Sequence, residues 1–348
     1  MGGTALGFQA KRMNKEQFIT ISADVVEKIR SLGYTADVIP AYRDKDDFGD
    51  IDIVVMLDET VDSTTQIDRE LGAIEHSQFA WADKKSKIIS LGIPLDDGVV
   101  QVDLIHIARQ SYDFALRYFS YNDCGNLLGR IFHKLGLKFG HDGLWMPVNA
   151  GTDRIGNIVV TRDFSAALRL IGYDPEVHLE GFQTLEEMFK YVADNDLFNP
   201  SIYLLENRNS IARVRDKKRK TYTAFLKWCE SLGEKDWYVF PEDKRIWNGL
   251  IFTEFPHAAQ DHFEIHRRHS LQLMAREKFN GDIVGRLTGL SGKQLGEFIR
   301  YLTNGTKYHQ SAIIARTAEV TEQLIKDDFE HWQKHRHELF VDHVYKHL

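Results

Sequence analysis

The stretch Phe48-Gly49-Asp50-Ile51-Asp52-Ile53-Val54-Val55-Met56 constrains this chain more than any other. Its apolar, β-branched residues read as a buried strand, and a strand sends successive side chains to opposite faces. Ile51 and Ile53 therefore enter apolar packing, while Asp50 and Asp52 share the other face. Two carboxylates a few ångströms apart resist joint ionisation unless something positive lies between them. A second apolar strand, Val99 to Ile107, carries Asp103, and it completes a three-oxygen site if the two strands are neighbours. Hard oxygen ligands of this kind suit Mg²⁺ or Mn²⁺ rather than zinc.

The flanking segments supply a scaffold for that strand. Phe18, Ile21, Val25, Val26, Ile29 and Leu32 recur at helical spacing, with Asn14 as N-cap and Gly33 as C-cap. A short strand within Thr35 to Ala41 and a polar turn, Tyr42 to Asp47, lead into the paired aspartates. A second helix is expected at Ser63 to Gln78 and a strand at Lys87 to Ile93. Asp96-Asp97-Gly98 turns the chain into the strand of Asp103. The expected result is a small mixed sheet with helices on one face. Downstream, periodicity is helical: Asp163 to Gly172, Leu185 to Asn195, and a stripe of Tyr222, Phe225 and Leu226.

This order of elements, with aspartates at these places, resembles the palm of the DNA polymerase β-like (family X) nucleotidyltransferases. The likeness continues through Tyr118 to Arg130, where Tyr118-Phe119, Asp123, Asn126 and Arg130 fall at the family's intervals. It extends into Gly136 to Trp145, similar to the family's next hairpin, and covers roughly residues 35 to 175. The resemblance implies an α+β fold: a polymerase β-like palm followed by a mostly helical C-terminal region. It implies a palm with the metal site over 1–117, a base- and sugar-selecting subdomain over 118–205, and a helical region over 206–348. It further implies that Asp50, Asp52 and Asp103 are catalytic and hold Mg²⁺ or Mn²⁺. Tyr118 and Phe119 would crowd the sugar, and Asp123, Asn126 and Arg130 would face the base. Gly49 ends the turn at the phosphates and Arg43 stands where a family arginine holds them. The chain departs from the pattern at Ile39-Pro40, where a Gly-Ser pair normally binds triphosphate; Gly2, Gly3 and Thr4 are the candidate replacement. Tyr121 also replaces a small residue, a change that bears on sugar selection.

Composition excludes several other classes. A formal charge of −7 argues against a protein that coats duplex DNA, whose affinity comes from an overall basic surface. One local exception runs from Arg208 to Lys220: seven cations against Asp216, either a solvated helix face or a phosphate-tracking surface. The two cysteines, Cys124 and Cys229, form neither a disulfide framework nor a zinc spacing. No apolar run reaches bilayer length and none reads as a secretory signal, so the expectation is a cytoplasmic protein without membrane insertion. His262, His266 and His269 would share a helix face, which a polar surface explains without zinc. Gly292-Lys293 lacks the context of a phosphate loop.

The resemblance implies transfer of a nucleoside monophosphate from an NTP or dNTP to a hydroxyl, with release of pyrophosphate. Because the palm begins near residue 1, template-independent addition is expected over templated repair. The layout is similar to transferases of Hailong-type anti-phage systems, which make short single-stranded oligonucleotides as signals from a protein hydroxyl. That similarity implies a defence effector as partner, single-stranded nucleic acid as product or primer, and Tyr345 as a candidate primer. A tRNA- or protein-modifying transferase stays open, as does an interaction protein built on a degraded palm.

Overall fold

A computed structural model of the chain describes residues 3–61, 63–74, 79–83, 87–233 and 235–345. They form two compact units: residues 1–147 with 157–259, and residues 148–156 with 260–348. The first is a mixed α/β region followed by helices, and the second is built around helices.

A two-residue strand, Met13–Asn14 (β1), opens into helix α1 (Lys15–Ser31). Asn14 and Gln17 close a reciprocal capping box: the Gln17 N–H donates to Asn14 Oδ1 at 2.8 Å and the Asn14 N–H to Gln17 Oε1 at 3.2 Å. Strands β2 (Ala36–Val38), β3 (Asp47–Phe48) and β4 (Ile51–Leu57) follow, then α2 (Ser63–Ala73). The remainder of the helix expected to Gln78 lies outside the described residues. Next come β5 (Phe79–Asp83), β6 (Ile88–Leu95) and β7 (Gly98–Ala108). These strands make a five-stranded sheet in the order β2-β4-β7-β6-β5, while β1 pairs with β3. The β4–β7 pair is parallel and the other pairs in this sheet are antiparallel.

One face of the sheet carries Ile51, Ile53, Val55, Val102 and Leu104 into a core with Val25, Val26 and Ile29 of α1. Helices were expected on one face only. The structure adds helix α3 (Tyr112–Phe119), whose Tyr112 and Ala115 pack with Val54 and Ile107 of the other face. Both faces are thus covered at one end, leaving the aspartates at the other. Helix α4 (Cys124–Lys134) then crosses close to α3, where a Cβ on Gly125 would lie 2.2 Å from the Tyr118 carbonyl oxygen. Only glycine permits that approach.

A hairpin of β8 (Lys138–Gly140) and β9 (Gly143–Ala150) follows, joined by β10 (Asp153–Thr161). Helices α5 (Phe164–Leu170), α6 (Pro175–Glu180), α7 (Leu185–Ala193), α8 (Ser210–Lys217) and α9 (Lys220–Glu230) complete most of the first unit. The boundary expected at 117/118 falls inside α3. That expected at 205/206 is not a boundary between compact units: Tyr222 and Phe225 of α9 are fully buried, the Tyr222 hydroxyl donates to the Tyr203 carbonyl at 2.6 Å, and Phe225 packs on Phe189, Phe198 and Tyr203.

In the second unit, Val284, Phe298, Leu302, Ile325 and Trp332 form the core of a helical bundle. The Asn280 side chain caps its helix at Ile283 N, and Gly289 ends that helix in the left-handed region at φ +71°. Across all described residues no helix is long and apolar enough to cross a membrane.

Candidate metal centre and its cleft

Parallel pairing of β4 with β7 sets Asp52 directly beside Asp103. Residues in register on neighbouring parallel strands point to the same face, about 4.8 Å apart. Asp50, two positions before Asp52, joins them. Oxygens of Asp50, Asp52 and Asp103 all lie within 4.8 Å of one another, and each side chain is half-buried. Among the described residues this is the one cluster of acidic, histidine or cysteine side chains with metal-ligand spacing.

The electrostatics of the cluster follow from crowding away from water. Burial, with Asp50 and Asp103 adding to it, pushes the Asp52 carboxyl up to about 8, against the pull of Lys45. Asp103 is also raised, chiefly by burial, while hydrogen bonding from Gln101 works the other way. Lys45 is lowered by its own burial, with Asp50 and Asp52 opposing that shift. One lysine leaves negative charge uncompensated. An all-oxygen donor set at this spacing fits a hard dication, and Asp50, Asp52 and Asp103 are the residues that would hold it.

Gln101 is a further part of the centre. Lying two residues before Asp103 on β7, it is on the same face, and its Nε2 donates to both Asp103 carboxylate oxygens at 2.9 Å. The amide is held in that orientation because Oε1 accepts the Ala5 N–H at 2.9 Å. The chain near its start is therefore tied to the aspartate site. Gly3, at φ +83°, is buried where a Cβ would meet the Gly49 carbonyl oxygen at 2.6 Å, and its own carbonyl accepts the Ala10 N–H at 2.6 Å. Thr4 is exposed, and Gly2 lies outside the described residues.

Asp50 and Asp52 open onto a cleft of about 940 Å³. Arg12, Tyr42, Lys45, Asp47 and Gly49 line it from the palm, and Ile211, Val214, Arg215, Lys218, Arg219 and Lys220 from α8 and the start of α9. The basic run is thus brought to the aspartate site. Part of it is structural: Arg208 and Arg215 both bind the buried Asp216, at 2.6 and 3.0 Å. Lys218 and Lys220 face the cleft, where Lys220 also favours ionised Asp47.

Other expected site residues are placed differently. Asp123 lines the cleft, but its carboxylate is ion-paired with Arg219 and does not cap α4. Asn126 Oδ1 accepts from Arg215 at 3.3 Å. Arg130 corrects the expectation of a single base-facing surface: it is buried, and its Nε and Nη2 donate to the Ile202 carbonyl at 3.1 and 2.8 Å. Tyr118 and Phe119 are not among the lining residues; Tyr118 packs on Phe139 and Phe119 stacks on His141. Arg43 donates to the Glu180 carbonyl and likewise does not line the cleft. Tyr121 is buried against His178 and Phe182, so its bulk packs on those rings, and it does not line the cleft. Ile39-Pro40 hold the palm together: the Ile39 N–H donates to the Asp52 carbonyl at 2.9 Å, and the Pro40 carbonyl accepts the Tyr121 N–H at 2.8 Å. Tyr345 closes the last helix (Ala318–Tyr345), and its side chain is outside those described.

Sequence reasoning passed over Lys45 and Gln101. The signal for Gln101 was its i−2 relation to Asp103; for Lys45 it was a cation in the turn that delivers the aspartates.

No protein-family model matches the chain, and no curated protein matches it. Among solved structures, the crystal structure of Leishmania infantum polymerase beta in a ternary P/T complex is similar over 40% of this chain and 60% of that one, at 15% identity and a TM-score of 0.35. The chain thus spans less than two thirds of that structure.

Proposed function

We propose that the protein is a metal-dependent nucleotidyltransferase that moves a nucleoside monophosphate from an NTP or dNTP to a hydroxyl acceptor without a template. The observation that carries this reading is the three-carboxylate cluster of Asp50, Asp52 and Asp103 at a cleft that also gathers cations from α8 and α9. Mg²⁺ or Mn²⁺ on those oxygens would neutralise phosphoryl charge and acidify the acceptor hydroxyl. Asp50 and Asp52, which open onto the cleft, would hold the ion there together with Asp103. Gln101 fixes both oxygens of Asp103, and burial makes Asp103 a stronger base for the hydroxyl proton. As the acceptor oxygen bonds to the α-phosphorus, the bond to the pyrophosphate oxygen breaks and Asp103 receives the proton. Lys45, Lys218 and Lys220 supply positive charge for the phosphates, in place of the absent Gly-Ser pair.

The finer reading rests on the sequence resemblance: short single-stranded oligonucleotides made as antiviral signals, a defence effector that receives them, and protein priming from Tyr345. The test is incubation of the full chain with α-³²P-labelled NTPs and dNTPs, with Mg²⁺ or Mn²⁺ and no added nucleic acid. Pyrophosphate release with labelled oligomer or labelled protein is expected. Absence of both with every nucleotide and either ion defeats the reading. A self-label that survives Tyr345→Phe removes that tyrosine as primer while leaving the transferase.

A further inference from the structure

The polar groups that helix α4 and its approach offered for distinguishing one nucleobase from another are turned to protein partners or away from the cleft. Asp123 is ion-paired with Arg219 and Asn126 Oδ1 is taken by Arg215; the Asn126 Nδ2 has no partner, but it is buried and Asn126 does not line the cleft. Arg130 is spent on the Ile202 carbonyl, and Asn122 Nδ2 on the Thr221 hydroxyl at 3.3 Å. Reading a base edge needs donors and acceptors left unsatisfied until the right base arrives; that arrangement rejects a wrong base strongly, because it strands buried polar groups.

The same cleft offers an apolar surface instead. Ile211 and Val214 line it while remaining 83% and 59% exposed, and Leu185 and Ala224 line it as well. A scattered exposed aliphatic residue means little. Here Ile211 and Val214 are three apart on α8, hence on one face, and Arg215 and Lys218 continue that face one turn and two turns beyond Ile211. An aliphatic pair followed by cations, in the cleft of a carboxylate metal centre, complements a molecule with a flat apolar part and a phosphate part.

We infer that Ile211 and Val214 hold the base of the bound nucleotide by apolar contact with its face, without reading its edge, so that the site accepts all four bases. Lys218 takes the adjoining phosphate charge. Every base has an apolar face, and contact with it is tolerant of sequence. Asp123 and Asn126 are positioning residues that fix the α8–α9 segment through Arg219 and Arg215. This inference rests on the nucleotidyltransferase reading for the identity of the ligand.

The experiment measures binding of fluorescent analogues of all four nucleoside triphosphates to the full chain carrying Asp50→Asn with Asp52→Asn, where turnover is absent, alongside wild-type affinity by competition. The four dissociation constants should agree within about 100-fold, the range of apolar discrimination. Ile211→Ser with Val214→Ser should weaken all four together by about tenfold, and Ile211→Ala with Val214→Ala should do so less; both pairs lie on exposed positions, and circular dichroism checks the fold. Asp123→Ala should move all four affinities together, since it acts through Arg219. Preference for one base beyond about 100-fold, loss of selectivity in Asp123→Ala, or unchanged binding in the serine pair would each overturn the inference. Failure of wild type to bind any of the four would instead remove the nucleotidyltransferase reading itself.

Discussion

The β4–β7 strand pair and helix α4 were both expected to align side chains toward one site, and only the strand pair gathers all of its expected side chains into one cluster. In the strands, a two-residue period fixes the face of each side chain, and one register fixes the neighbour: Asp52 stands beside Asp103 because Ile53 stands beside Leu104. A one-residue slip would expel the whole apolar set from the core, so core burial enforces the site. At α4, helical spacing does put Asp123, Asn126 and Arg130 on a common side, but each is taken by a protein partner, Asp123 doing so at the cleft wall. Asp123 and Asn126 find Arg219 and Arg215, some ninety residues on in sequence, and Arg130 reaches the buried Ile202 carbonyl. Spacing along one element determines who points the same way. What they point at depends on other elements.

The largest effect that sharpens this contrast is expected at the strands. Asp52→Asn should cost nucleotidyl transfer about 10³-fold or more, with a melting temperature unchanged or raised because a crowded charge is removed. Retained turnover, measured as pyrophosphate release, would break the site assignment.

On α4 the opposite pattern is expected. Arg130→Met leaves the Ile202 carbonyl without its donor and should destabilise the fold by about 2 kcal/mol in urea denaturation, while the KM for each triphosphate stays near wild type. A selective rise in KM for one base, with stability intact, would restore Arg130 to the cleft and erase the difference between the two regions.

A further expected effect is a pH slope. Asp52 keeps its proton to about pH 8 in the folded, metal-free protein, against an ordinary carboxylate value of 3.8 when unfolded. Between those values the folded state binds the extra proton, so its contribution to stability is fully present below about pH 4 and is lost as pH rises towards 8. Thermal melts of metal-free wild type from pH 5 to 8 should therefore fall more steeply than those of Asp52→Asn, and saturating Mg²⁺ should offset the loss. Parallel profiles for the two proteins would show that the carboxylates are not strained together.

By itself the sequence determined whatever short-range periodicity controls. The capped helix α1, the alternation that puts Asp50 and Asp52 on one face, the turn at Asp96-Asp97-Gly98 and the strand of Asp103 are all local consequences of residue type and spacing. The meeting of Asp50, Asp52 and Asp103 needed one further step, the adjacency of two strands that share a core. Only the tertiary structure decided the rest. A basic run in the sequence does not say where its helices dock, yet packing of Tyr222 and Phe225 carries Lys218 and Lys220 to the aspartates. Nor does the sequence say that Tyr121 and Arg130 are taken up by internal contacts. Where a polar or aromatic side chain ends up depends on the partners that packing brings to it, and for Arg130 and Tyr121 those partners lie far away along the chain.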